Sequence, residues 1–193
     1  DATVAIAFIS HRTKEWVAYG RTMSGVLARA PEHPVLVEYY AYFLACTGQT
    51  AKAIEDQNKA LRLEAFTPRL YAEQSWFLWA DDRLDEAEAL LARSRELWPG
   101  YYWSWFNLFW ILAFTGRAPA AIAMKQDIAS RPAGIPADDF DLIEQAARTL
   151  DTRNAAGADA AAPVLAASST RTFDVTGRCG VPDTALALTV NVT

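Results

Sequence analysis

Leu44, Leu78 and Leu112 stand 34 residues apart, and so do Ala53, Ala87 and Ala121. Pro34 and Pro68 share another phase, at which Pro136 would open a further unit. Gly48 and Gly116 fall at one more, with Asp82 between them, and Pro99 ends the second unit. A period of this length, kept through three units without insertion, constrains the fold more than any single motif. Each unit is one supersecondary element that buries its apolar side only by stacking on its neighbours. The aromatic stretch Tyr102 to Phe114 is the most apolar copy of one segment. Shifted back by one period it lands on Pro68 to Ala80, and by two on Pro34 to Cys46.

This period and punctuation resemble the tetratricopeptide repeat. That family places an aromatic at the fourth position of a unit, which here reads Val37, Tyr71 and Trp105. It places a small residue at the eighth, which reads Ala41, Ser75 and Phe109, and alanine at the twentieth, which all three units supply. Phe109 departs from the small-residue rule and should widen the packing of its unit. Gln57 and Lys125 depart at the twenty-fourth position, usually a bulky apolar one. The resemblance implies an all-α, right-handed α-solenoid of antiparallel helix hairpins. Its units run 34–67, 68–101 and 102–135, with a partial unit 136–169, inside a helical domain spanning 13–169. The alanines would sit where paired helices approach most closely, so that larger side chains would force them apart. Gly48 and Gly116 would take the left-handed conformation that ends a helix.

The flanks follow less regular rules. Trp16, Tyr19, Met23, Val26 and Leu27 recur at spacings of three and four, so 13–30 reads as a helix ended by Pro31 and Pro34. It extends the resemblance backwards as a lone second helix. Residues 1–11 suit half a strand or a helix remnant. Residues 138–150 read as another first helix, with Asp138, Asp139 and Asp141 placed well at its N-terminus. The Ala-rich 154–169, interrupted by Gly157 and Pro163, reads as a poor second helix or a tether. From Thr170 the pattern changes to period two, with Leu186, Leu188, Val190 and Val192 on one face. The tail 170–193 is therefore expected to be extended or irregular, β-like or disordered. Its last twenty residues resemble a piece of β-rich modules in secreted bacterial proteins, a hint of export.

Composition excludes several functions. The chain carries 18 Lys and Arg against 23 Asp and Glu, a net charge of -5, without a basic block. This argues against nucleic-acid binding through phosphates. No run reaches the roughly 20 apolar residues of a membrane helix, and no basic segment followed by an apolar one marks a signal peptide. Cys46 and Cys179 are no disulfide framework, and a reduced cytoplasmic setting is the default. The two histidines, His11 and His33, lie in no metal-ligand spacing. No nucleophile has a base arranged beside it, so neither catalysis nor a cofactor is expected. Asp81, Asp82, Asp85, Glu86 and Glu88 could bind a cation, but they crowd a turn and the first turn of a helix, where negative charge is favoured. The closing Asn191-Val192-Thr193 matches a glycosylation sequon by chance.

The functional candidates are aromatic. In the tetratricopeptide family the first helices line a concave groove through positions two, five, nine, twelve and thirteen. The resemblance therefore implies a groove holding Tyr42, Trp76 and Trp110, with Trp79, Trp103 and Phe106 beside them and Arg69 and Glu38 as its charges. Such a wall suits an extended or helical peptide with bulky side chains. It lacks the lysine and asparagine with which some family members grip a peptide carboxylate, since Glu38, Tyr42 and Trp76 stand in their places. The expected function is a non-enzymatic protein–protein interaction module, and the family resemblance allows it to be a segment of a larger bacterial regulator. The competing reading is structural. The aromatic face would then be buried against the chain itself or a second subunit in a homodimer, since aromatic stripes at helical spacing are more often core than ligand site.

Overall fold

The computed structural model describes residues 16–133 together with Asp141, Glu144 and Arg148. Among the described residues there are seven α-helices and no strand. Helix α1 is Trp16–Leu27. Six more follow in chain order: α2 (Pro34–Cys46), α3 (Thr50–Leu63), α4 (Pro68–Ala80), α5 (Leu84–Leu97), α6 (Tyr102–Phe114) and α7 (Ala118–Gln126). A 3-10 turn, Ile128–Ser130, comes after them. Consecutive helices from α1 to α5 pack on one another, and α2 also touches α4, so the packing is that of a helical solenoid. By contact the chain forms two compact units, Asp1–Ile111 with Ala129–Ala133, and Leu112–Ile128 with Gly134–Thr193. The strand-like tail, the Ala-rich segment and residues 1–15 lie outside the described residues. Of the helix expected over 138–150, Asp141, Glu144 and Arg148 are described, and all three are helical.

The period is written in the backbone hydrogen bonds. Gln49 N–H donates to Leu44 O at 2.8 Å, Arg83 N–H to Leu78 O at 2.9 Å, and Arg117 N–H to Leu112 O at 3.1 Å. Each bond closes a first helix over one residue of left-handed backbone: Gly48 at φ 80°, Asp82 at φ 59° and Gly116 at φ 76°. The left-handed residue lets the chain turn back and satisfies a carbonyl that the helix end would orphan. Asp82 does this with a side chain, at a steric cost glycine does not carry. Asp82→Gly is expected to stabilise the chain by about 0.5 kcal/mol, and Gly48→Ala to cost about 1 kcal/mol. Thermal unfolding of the two variants checks both signs.

The core repeats at the same phases. In first helices the eighth position is fully enclosed as Ala41, Ser75 and Phe109, and the third as Leu36, Leu70 and Ser104. In second helices Ala53, Ala87 and Ala121 are buried at the twentieth position. Helix α1 is in register with them: Met23, Gln57 and Leu91 share one buried phase, and Val26, Ala60 and Ser94 another. At the alanine phase α1 carries Tyr19. Its ring is buried, its hydroxyl donates to Tyr39 O at 2.9 Å, and the next residue, Gly20, leaves the room that Phe43 fills. A methyl group on Gly20 would overlap the Phe43 ring.

Polar bonds pin one hairpin to the next. Gln57 Nε2 donates to Leu70 O at 3.1 Å, Gln74 Nε2 to Asn58 Oδ1 at 2.8 Å, and Asn107 Nδ2 to Ala72 O at 2.8 Å. The Ser94 and Ser104 hydroxyls lie 2.6 Å apart, and Thr50 Oγ1 donates to Asp81 Oδ1 at 2.9 Å. These bonds explain how Gln57 occupies an apolar phase: its amide finds a carbonyl across the interface, so burial does not strand the donor.

In the second compact unit, Lys125 stands at the same repeat phase as Gln57. Its Nζ donates to Asp141 at 2.5 Å and Glu144 at 2.6 Å, while Arg148 donates to Glu144 at 2.7 Å. The hydrogen bond from Lys125 holds the Glu144 carboxyl below its ordinary value; burial opposes this and Arg148 reinforces it. A carboxyl depressed in the folded chain contributes stability that is complete above its unfolded value and lost as pH falls through the folded one. Glu144→Gln is therefore expected to lower stability by about 1 kcal/mol at neutral pH. The difference should close as pH drops below about 4.5, the ordinary carboxyl value. Urea titrations of both chains across that range check it.

Candidate functional site

A helix turns 100° per residue, so positions two, six, nine and thirteen of each first helix share one stripe. On α4 these are Arg69, Glu73, Trp76 and Ala80; on α2, Val35, Tyr39, Tyr42 and Cys46; on α6, Trp103, Asn107, Trp110 and Phe114. Asn107 is buried, Ala80 and Cys46 are exposed, and the rest are half-buried. The helices have little amphipathic contrast here, because one side meets the core and the other carries rings.

Those rings form a continuous chain of contacts. Trp79 stacks on Trp76 with centroids 4.9 Å apart and planes at 29°. Trp76 meets Trp110 of the next first helix edge-on at 5.5 Å and 85°. Trp110 lies 5.5 Å from Phe106, which contacts Trp103 at 5.9 Å and stacks on Tyr102 at 5.2 Å. Edge-on and offset pairs of this kind suit the ring quadrupole and contribute about 1 kcal/mol each beyond burial. Five of the six aromatic candidates are thus brought together. Tyr42 has its ring 6.5 Å from Phe77 and packs with Trp76 and Trp79 around one core cluster.

The two charged candidates meet each other. Glu38 is 2% exposed, and Arg69 Nη2 donates to its Oε2 at 2.6 Å. Arg69 Nη1 reaches Glu73 Oε1 at 3.2 Å, and Gln57 Nε2 approaches Glu73 Oε2 at 3.5 Å. Position five is enclosed throughout, as Glu38, Ala72 and Phe106. Glu38 and Phe106 therefore support the wall from within. Sequence reasoning missed Glu73, although its spacing of four from Arg69 is a legible helix pair. It also missed Asn107 and Tyr39, because the position set it carried over omits the sixth.

The acidic cluster resolves into local bonds. Asp82 forms the left-handed turn, Asp81 accepts from Thr50, and the Arg83 guanidinium donates twice to Glu86 at 2.7 Å. Among the described residues no group of three His, Cys, Asp or Glu side chains could hold a metal ion. No helix among them is long and apolar enough to cross a membrane.

No family model and no curated protein matches the sequence. Among solved structures, the chain is similar to the crystal structure of MamA protein, with a TM-score of 0.57 at 17% identity. The likeness covers 94% of this chain and 97% of that one. MamA contains tetratricopeptide repeats, so the fold shared here is a tetratricopeptide-like helical repeat.

Proposed function

We propose that this chain is a non-enzymatic interaction module that holds a peptide or a partner protein on the face of its first helices. The observation that carries the reading is the contact of Trp76 with Trp79 and, across to the next hairpin, with Trp110. Three indole rings stay half-buried in one network, where a partner's apolar side chain would complete their burial. Tryptophan gives large contact area with little entropy loss, which is why such residues dominate binding energy at interfaces. The likeness to MamA supplies the helical-repeat scaffold on which this rests.

The test is retention of proteins by immobilised wild type and by Trp76→Ala, followed by rebinding with each purified partner. The variant should bind at least about tenfold more weakly with unchanged helicity, as expected for one aromatic anchor. If Trp76→Ala instead loses cooperative unfolding, the ring is core. If the wild type sediments as a dimer at every concentration and shields these rings, the face is an oligomer contact instead.

A further inference from the structure

We infer that Asn107 is a positioning residue for this face: its buried amide sets the register of α6 on α4 and so holds the contact between Trp76 and Trp110. This rests on the first-helix reading above and names a residue that shapes the same site. Asn107 stands in the stripe between Trp103 and Trp110, yet it is 1% exposed, so it acts through the rings and not on a partner. Its Nδ2 donates to Ala72 O at 2.8 Å and approaches Ser75 Oγ at 3.3 Å. A carbonyl only accepts, so this bond fixes which way the amide points. Ser75 Oγ donates to the same carbonyl at 2.6 Å. Ala72, Ser75 and Asn107 are all buried, and a donor displaced from this node would find no water to replace its partner.

The node lies one turn from the rings. Ala72 precedes Trp76 by four residues on α4, and Asn107 precedes Trp110 by three on α6. A helix rises about 1.5 Å per residue, so both separations are close to one turn. Ala72 O is also the acceptor that an α-helix assigns to Trp76 N–H. Asn107 therefore grips the peptide group from which the Trp76 backbone hangs. Two neighbouring rungs join these first helices: the amide bond and, a turn further on, the indole pair at 5.5 Å. They differ in stringency. Aromatic pairs accept centroid separations of about 4.5 to 7 Å and several angles. An amide–carbonyl bond weakens steeply away from its own distance and direction. A buried polar group satisfied in only one arrangement selects that arrangement, so the directional rung sets where the tolerant one falls. Gln74 supplies the comparison. Its Nε2 donates to Asn58 Oδ1 at 2.8 Å, a bond of the same kind that ties α4 to α3 instead of α6.

NMR of the isotope-labelled full chain tests this. Seven tryptophans give seven indole N–H signals, and Trp76→Phe and Trp110→Phe identify the two that matter. Asn107→Leu keeps the volume and removes the donor. Asn107→Ser keeps a polar group too short to span the gap, and takes its place if the leucine variant does not fold. Either should shift the Trp76 and Trp110 signals and weaken the cross-peaks between the two rings. Gln74→Leu removes a comparable buried amide and should leave both in place. Unmoved rings in the Asn107 variants, or equal movement in Gln74→Leu, would overturn the inference. Peptides from a random phage library, selected on the immobilised wild type and counter-selected on Trp76→Ala, serve as binding probes. They should bind the Asn107 variant about tenfold more weakly and Gln74→Leu as tightly as wild type. Unchanged binding to the Asn107 variant despite displaced rings would overturn the positioning role and leave the face standing. Failure to recover any peptide that depends on Trp76 would overturn the face itself, and the part of Asn107 in binding with it.

Discussion

Ala87→Trp is expected to lower the unfolding free energy by about 3 kcal/mol or more. Ala87 is wholly buried between the two helices of its hairpin, in the same core cluster as Ala53, Leu78 and Leu91. An indole there has no cavity to enter, so α4 and α5 must separate and the adjoining Ile54 and Phe77 must leave their positions. Ala89, two residues on, is exposed. Ala89→Trp should therefore change stability by no more than about 0.5 kcal/mol. Urea midpoints with unchanged slopes would establish the contrast. Equal effects at the two sites would mean that the 34-residue register assigned to the second helices is wrong.

Arg69→Met is expected to cost about 3 kcal/mol, because it leaves the Glu38 carboxylate buried without its cation. The Arg69 side chain keeps 30% of its surface exposed against 3% for Glu38, so the penalty falls on the glutamate. Glu38→Leu combined with Arg69→Met should recover most of the loss, since apolar groups of similar volume replace a buried pair with little net change. A double-mutant cycle read by urea unfolding isolates the coupling. If Arg69→Met alone stays within about 1 kcal/mol of wild type, Glu38 has another route to solvent or charge, and the pair cannot be what fixes that end of the stripe.

Both variants probe features of different legibility. The register of Ala87 could be read directly, because a residue at the tight crossing of two helices must be small in every copy. The turns were equally plain: Gly48 and Gly116 announced a left-handed backbone, and Asp82, at their phase, adopts it too. Helix α1 also announced its phase through Trp16, Tyr19, Met23 and Val26, and the structure puts Met23 and Val26 where second helices bury their side chains.

The Glu38–Arg69 pair was not legible as a pair. Both residues stood among the expected groove positions, yet they lie 31 residues apart, nearly one period, and only the stacking of one hairpin on the next brings them together. The same holds for Gln57, which as a sequence letter looked like a flaw in the pattern. Its partner is the Leu70 carbonyl, a backbone group whose direction no side-chain pattern encodes.

The order of helices, their lengths, their turns and the small residues between them were determined by the sequence alone, because each depends on neighbours within one hairpin. Which aromatic rings touch, which of the expected groove residues are enclosed, and how three charges share one site were decided by the tertiary structure. Those features depend on the rotation and separation of one hairpin relative to the next, and that relation is fixed by the packing of the whole interface.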